Sequence, residues 1–339
     1  MKMKAIGFKK SLPITDPESL VLFDKERPVA RGHDVLVQVK AVSVNPVDYK
    51  VRNRIPSEET LKEYKIPGYD ASGVIVEAGE IVALFKPGDE VYYAGSILRD
   101  GTNAEFHLVD ERIVGRKPKK VSHEEAAAVP LTAITAWEAI FERLLIEKGS
   151  GDDKSILIIG GAGGVGSMAI QLLKCLTKLK VITTASRDVT RKWCLDLGAD
   201  LVVNHRNLEK DLKENEIEQV DYILNFVDTD AYWDAMCNLI KPLGRICSIV
   251  PAVGQVALGS LFEKSVSFSW ELMFTKFSFQ TPGMITQHEL LNEVSDMLDQ
   301  GSLRSTATKI LKGFSVENFK KAHQQLESKT TIGKIVIRF

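Results

Sequence analysis

The 339-residue chain sets 44 Lys and Arg against 45 Asp and Glu, for a formal net charge of −1, and is 44% hydrophobic and 26% charged. This is a soluble globular composition with length for two domains, and its even charge leaves no basic stripe for nucleic acid and no field toward an anionic membrane. The opening MKMKAIGFKKSLP has no apolar stretch long enough for a signal peptide, and AAAVPLTAITAW (126–137) is too short to span a bilayer and holds Pro130, so a cytoplasmic protein is expected.

Residues 1–125 read as β-rich. DVLVQVKAVSV (34–44), SGVIVEAG (72–79), GDEVYYAG (88–95) and AEFHLV (104–109) are strand-like, and PGYD, KPGDE and RDGTN supply turn chemistry between them. The alternation in VLVQVKAVSV predicts a half-buried antiparallel strand. From about residue 126 the rhythm changes. SILIIG, KVITTA, ADLVVN, VDYILNFV and GRICSIV are continuous apolar runs, as in strands buried on both faces. Helix-like VGSMAIQLLKCLTK, DVTRKWCLDLG and TDAYWDAMCNLIKPLG separate them, so an α/β fold with a doubly wound parallel sheet is expected. Leu290, Val294, Met297 and Leu298 line one face of a helix over 286–300, and GKIVIRF closes the chain as a strand. The expected domains are 1–125 completed by 270–339, and 126–269. Cys175, Cys194, Cys237 and Cys247 show no CxxC spacing and read as buried free thiols.

Between the first apolar run of the second domain and its helix lies SILIIGGAGGVG (155–166). Gly161, Gly163 and Gly166 match G-x-G-x-x-G directly after a strand and before a helix, with Ala162, Gly164 and Val165 between them. The first glycine permits the turn, the second lets backbone approach a pyrophosphate, and the third packs helix against sheet. The helix N-terminus then favours negative charge. Where an NAD site usually places a carboxylate, the second strand ends in Ser186 and Arg187. A hydroxyl and a guanidinium donate to a 2′-phosphate that a carboxylate would repel, so NADPH is expected. Asp188 reads either as a shifted ribose reader or as the cap of the next helix.

At this point the chain resembles the medium-chain dehydrogenase/reductase superfamily, in its zinc-type alcohol dehydrogenase-like and quinone oxidoreductase branch. The resemblance rests on SVNPVDYKVR (43–52), PGYDASGVIVEAG (67–79), FKPGDEVY (85–92), AAAVPLTAITAWEAI (126–140), GGAGGVGSMAIQLLK (160–174), LGADLVVNHR (197–206) and TTIGKIVI (330–337). It implies a GroES-like β domain on the substrate side followed by a Rossmann domain. It also implies that His205 and Lys329 lie near the adenosine phosphate, that Lys334 stands in a familiar GK pair on the cofactor side, and that Phe226 and Val250 face the nicotinamide. A homodimer is implied through the strand around VSFSW (266–270), an apolar edge that seeks a partner.

Zinc enzymes of this superfamily hold their metal through a cysteine, the histidine of a GHE turn and a second cysteine. Here Asn45 and Tyr69 stand at the first two places and no thiol is offered for the third, so no metal is expected. Without a Lewis acid the easier chemistry is hydride delivery to an electrophilic acceptor, a quinone or an α,β-unsaturated carbonyl. Catalytic candidates are Asn45, as orienting amide or turn residue, and Asp48, as loop-fixing group or base. Tyr49 and Tyr69 are phenolic donors, and Thr132 is placed near the nicotinamide by resemblance. Phe274 and Met273 read as pocket lining or core. A zinc-dependent alcohol dehydrogenase and a protein that binds NADPH without turnover are the alternatives.

Overall fold

The computed structural model describes residues 1–56 and 58–339, and the chain divides into two units, Met1–Leu131 with Phe274–Phe339, and Thr132–Met273. The expected boundaries at 125/126 and 269/270 lie a few residues before both division points.

In the first unit, β1 (Lys2–Gly7) and β2 (Val21–Glu26) form an antiparallel ribbon of their own. The main sheet holds β3 (Asp34–Val44), β4 (Asp70–Ala78), β5 (Glu90–Ala94), β6 (Phe106–Asp110) and β7 (Val114–Arg116). Two strands from the end of the chain, β14 (Ala307–Lys312) and β15 (Lys334–Arg338), complete it in the order β14-β15-β3-β4-β5-β7, with β6 also on β3. The alternation in β3 had suggested one wet face. Instead Val35, Leu36, Val37, Val39, Ala41, Val42 and Val44 are all buried. The reason is position: β3 pairs with β4, β6 and β15, and Ala41 packs with Ala127, Ala128 and Val336. The helix Thr286–Gln300 forms as expected, with Leu290, Val294, Met297 and Leu298 buried.

The second unit is a six-stranded parallel sheet of β8 (Ser155–Ile159), β9 (Lys180–Thr184), β10 (Leu201–Val203), β11 (Val220–Asn225), β12 (Ile240–Ser248) and β13 (Ser267–Trp270). The spatial order is β10-β9-β8-β11-β12-β13, the doubly wound arrangement in which strand order reverses beside the first strand. Ile156, Leu157, Ile158 and Ile159 are fully buried, which is why this run shows no alternation. On one face Leu157, Ile159, Ile182, Ile223 and Ile246 pack with Trp233, Met236 and Leu239 of the helix Thr229–Leu239. That helix stops at Leu239, short of the expected KPLG, because Ile240 already pairs with Val220 as the start of β12. Cys194, Cys237 and Cys247 are buried, but Cys175 is exposed: it falls in the last turn of the helix Gly164–Leu176, off its packed face. No helix among the described residues is long and apolar enough to cross a membrane.

Candidate active site and dinucleotide loop

Strand register gathers three distant residues in the first unit. Asp70 lies opposite Ser43 across β3 and β4, and Ile335 lies opposite Val44 across β3 and β15. Asn45, one residue beyond β3, therefore meets both Asp70 and Lys334. The Lys334 ammonium donates to Asp70 Oδ2 at 2.9 Å and to Asn45 Oδ1, and the Asn45 amide donates to Asp70 Oδ2 at 2.8 Å. The other Asp70 oxygen accepts from the Leu131 N–H at 2.8 Å. Asp70 is 0% exposed and Lys334 3%. Lys334 was expected on the cofactor side; its charge is instead bound inside the first unit by a carboxylate and an amide.

Asn45 also caps the helix Pro46–Arg52. The Asp48 N–H donates to the Asn45 carbonyl at 3.0 Å, and the Asn45 N–H donates to Asp48 Oδ2 at 2.8 Å, so Asp48 fixes this turn. Asp48 is fully buried and its Oδ1 has no hydrogen-bond partner; burial pushes its carboxyl up to about 7, against the pull of the Asn45 N–H and of Lys334. Tyr69 is fully buried with its hydroxyl unpartnered and its ring edge-on to Phe274, centroids 5.4 Å apart. Burial, and then the Asp48 charge, raise its pKa. Tyr49 is half-buried, raised by burial and by Glu327. Met273 and Phe274 are core residues, and Thr132 is buried in the second unit.

These donors do not fit a catalytic zinc. Asn45 Oδ1 and Asp70 Oδ2 are both committed to an ammonium, Tyr69 keeps its proton, and neither thiolate nor imidazole joins them. Among the described residues no group of three or more His, Cys, Asp and Glu side chains is arranged to hold a metal ion. A Ser72–His123–Glu90 chain exists, with 2.8 Å and 3.3 Å contacts, but Ser72 is sealed in and donates to the Val91 carbonyl, so it is no nucleophile.

In the second unit the glycine loop follows β8 and opens the helix Gly164–Leu176. Its three glycines have different reasons. A Cβ on Gly161 would sit 1.9 Å from Thr183 Oγ1, and one on Gly166 would sit 2.2 Å from the Gly160 carbonyl oxygen; both are demanded by the fold. A Cβ on Gly163 meets nothing closer than 3.7 Å, and its φ of −73° suits any residue. Nothing within the protein requires glycine there, so bareness at Gly163 fits a group approaching from outside. The unpaired N–H groups of the helix start, at Gly164, Val165 and Gly166 beside half-buried Ala162, suit that group being anionic. Gly161→Ala is expected to lower folding stability by about 1–3 kcal/mol through overpacking against Thr183. Gly163→Ala should leave the melting temperature in place while weakening dinucleotide binding. Thermal melts alongside coenzyme titrations of both variants check this, and equal melting losses would refute the distinction.

At the end of β9, Ser186 is half-buried and Arg187 exposed. Asp188 does not cap the next helix, Asp188–Asp196. Arg187 is the cap residue, its N–H donating to Thr190 Oγ1 at 3.1 Å, and Asp188 takes the first helical position. His205 is exposed just past β10. Phe226 and Val250 are half-buried past β11 and β12, held by a buried network that sequence reading missed. Asn225 donates to Thr229 Oγ1 and Ser248 Oγ, both at 3.2 Å, and Thr229 donates to the Val250 carbonyl at 2.5 Å. The signal was present: Asn225 is the one amide within the apolar run VDYILNFV. Lys329 belongs to the first unit, exposed and in the left-handed region at φ +56°.

A GroES-like sheet unit and a Rossmann sheet with a glycine-rich loop define a dinucleotide-dependent oxidoreductase. Residues 31–128 match the family model for the alcohol dehydrogenase GroES-like domain, and 197–337 match that for zinc-binding dehydrogenase. The zinc-type alcohol dehydrogenase-like protein of Staphylococcus epidermidis is 43% identical over 99% of both chains. A solved Rhizobium etli structure, provisionally described as a zinc-dependent alcohol dehydrogenase, is 48% identical with a TM-score of 0.94, over 100% of this chain and 98% of that one. The Escherichia coli quinone oxidoreductase, solved with NADPH, is 25% identical with a TM-score of 0.80, over 99% and 100%. The chain belongs to the medium-chain dehydrogenase/reductase superfamily, in its zinc-type alcohol dehydrogenase-like branch.

Proposed function

We propose that this protein is a zinc-independent, NADPH-dependent reductase of quinones or α,β-unsaturated carbonyls. The observation that carries the reading is the Asn45–Asp70–Lys334 triangle. At the place where zinc relatives coordinate metal, the oxygen donors are neutralised by an internal ammonium, so alkoxide chemistry has no ligand set to support it. An acceptor that is already electrophilic needs only hydrogen-bond donors at its developing oxyanion. Tyr49, half-buried, carries a hydroxyl for that role, whereas Tyr69 and Thr132 are enclosed within their own units; Asp48 and Asn45 hold the helix that bears Tyr49. Bound at the glycine loop, the coenzyme supplies the hydride. The chain's part is to seat its pyrophosphate on Gly163–Gly166 and its 2′-phosphate on Ser186, Arg187 and His205, with Phe226 and Val250 toward the nicotinamide.

The edge position of β13, with Trp270 48% exposed, supports a homodimer built on that strand. Four free thiols suit the reducing cytoplasm.

The test follows NADPH and NADH consumption separately against quinones, enals and saturated aldehydes, with metal analysis of the purified protein. NADPH-driven reduction of quinones or enals by metal-free protein is expected. Stoichiometric zinc with alcohol oxidation would install the zinc dehydrogenase reading, which the names of the relatives favour. Arg187→Asp is expected to raise the NADPH KM by about tenfold or more and leave NADH nearly unchanged; an unaltered preference would show that Arg187 is not the contact.

A further inference from the structure

We propose that Arg206 is a second guanidinium of the 2′-phosphate subsite and sets coenzyme preference together with Arg187. The inference rests on the NADPH reading above. It starts from register: β9 and β10 run parallel with Thr184 opposite Val203, and the Ala185 N–H donates to the Val203 carbonyl at 2.9 Å. The two chains therefore leave the same edge of the sheet side by side, ~5 Å apart. Ser186-Arg187 emerges from one and Asn204-His205-Arg206 from the other. The same edge carries the glycine loop, since the Gly160 N–H donates to Thr184 Oγ1 at 2.9 Å. A dinucleotide whose pyrophosphate sits on that loop lays its adenosine ribose at the end of β9. A phosphate on the 2′-oxygen then points across to the end of β10.

The turn that presents Arg206 is held firmly. Asn204 donates its N–H to Asp211 Oδ2 at 2.8 Å and accepts the Arg206 N–H on its own Oδ1 at 3.0 Å. Nearby carboxylates are engaged elsewhere: Asp211 by that bond, and Glu209 by the Asn238 amide at 3.2 Å. Arg206 is exposed and has no ion-pair partner among the described residues. Asp188, exposed at the first position of the neighbouring helix, is the charge that the two arginines and His205 must outweigh. A guanidinium reaches about 6–7 Å from its backbone, enough to span one strand spacing and fork onto a phosphate. Sequence reading passed over Arg206 because it follows His205, which the family resemblance had already claimed.

The experiment titrates wild type and Arg206→Gln with adenosine 2′,5′-bisphosphate and with adenosine 5′-monophosphate, by calorimetry. Wild type is expected to bind the bisphosphate at least about tenfold more tightly than the monophosphate. Arg206→Gln should lose about tenfold on the bisphosphate and stay within about twofold on the monophosphate, as for removal of one charge-assisted contact. Arg206→Lys should recover part of the loss. If wild type fails to discriminate the two probes, the NADPH reading falls and this proposal with it. If wild type discriminates and Arg206→Gln does so equally well, or weakens both probes alike, the NADPH reading stands and Arg206 has no part in it.

Discussion

Replacing Lys334 by methionine is expected to remove about 3–5 kcal/mol of folding stability, the usual consequence of stripping one partner from a buried ion pair. Asp70 is completely enclosed, and in the variant its carboxylate keeps only the Leu131 N–H and the Asn45 amide. The hydrogen-bond acceptor Asn45 Oδ1 is orphaned at the same time. Adding Asp70→Asn to Lys334→Met should return much of the loss, because neutral partners of similar shape leave no unpaired charge behind. Urea unfolding of the two single variants and the double variant measures this as a coupling energy of more than 1 kcal/mol. Additive losses would mean that the pair is not the unit described, and that the argument against metal at Asn45 loses its footing.

The second large effect concerns pH and lies in the second unit. Glu138 and Glu271 are 1% and 3% exposed, and Arg143 Nε donates to Glu271 Oε2 at 2.7 Å. Burial, and then the neighbouring Glu138, push the Glu271 carboxyl up to about 9, against the pull of Arg143. The folded protein therefore holds a proton on Glu271 that the unfolded chain releases above about 4.5. Because the folded state binds more protons, stability falls as pH rises across the window from about 4.5 to about 9. Glu271→Gln replaces the protonated carboxyl with a permanently neutral amide that still accepts from Arg143. The variant should match wild type near pH 5 and melt several degrees higher at pH 8.5. Parallel melting curves across that range would show that the pair holds no such proton.

Both predictions concern residues that reading the chain alone left aside or assigned elsewhere. Glu138 sits in AAAVPLTAITAWEAI, where a single carboxylate in an apolar run is a visible anomaly, but its partner Glu271 lies in a distant stretch with nothing in common but its burial. Lys334 was assigned by resemblance to the cofactor side, since local sequence says nothing of which strand β15 will pair with. By contrast the helix at 286–300 was legible because its apolar spacing repeats within fifteen residues. The capping of Pro46–Arg52 by Asn45 and Asp48 was legible as loop fixing for a similar reason: a capping box spans only four residues.

Sequence by itself determined the features that depend on near neighbours. These are the strand–glycine–helix succession at 155–176, the run of two-face-buried strands that makes the second sheet parallel, and the missing carboxylate after the second of them. Tertiary structure alone decided that Asn45, Asp70 and Lys334 share one buried charge balance, that Gly163 is the one of the three motif glycines without an internal reason, and that the ends of β9 and β10, which lead to Arg187 and Arg206, lie side by side. Periodicity and capping are written in contacts a few residues apart. Strand register joins residues as distant as Ala41 and Arg338, brings Asn45 to Lys334 across 289 positions, and is set only when whole sheets pair.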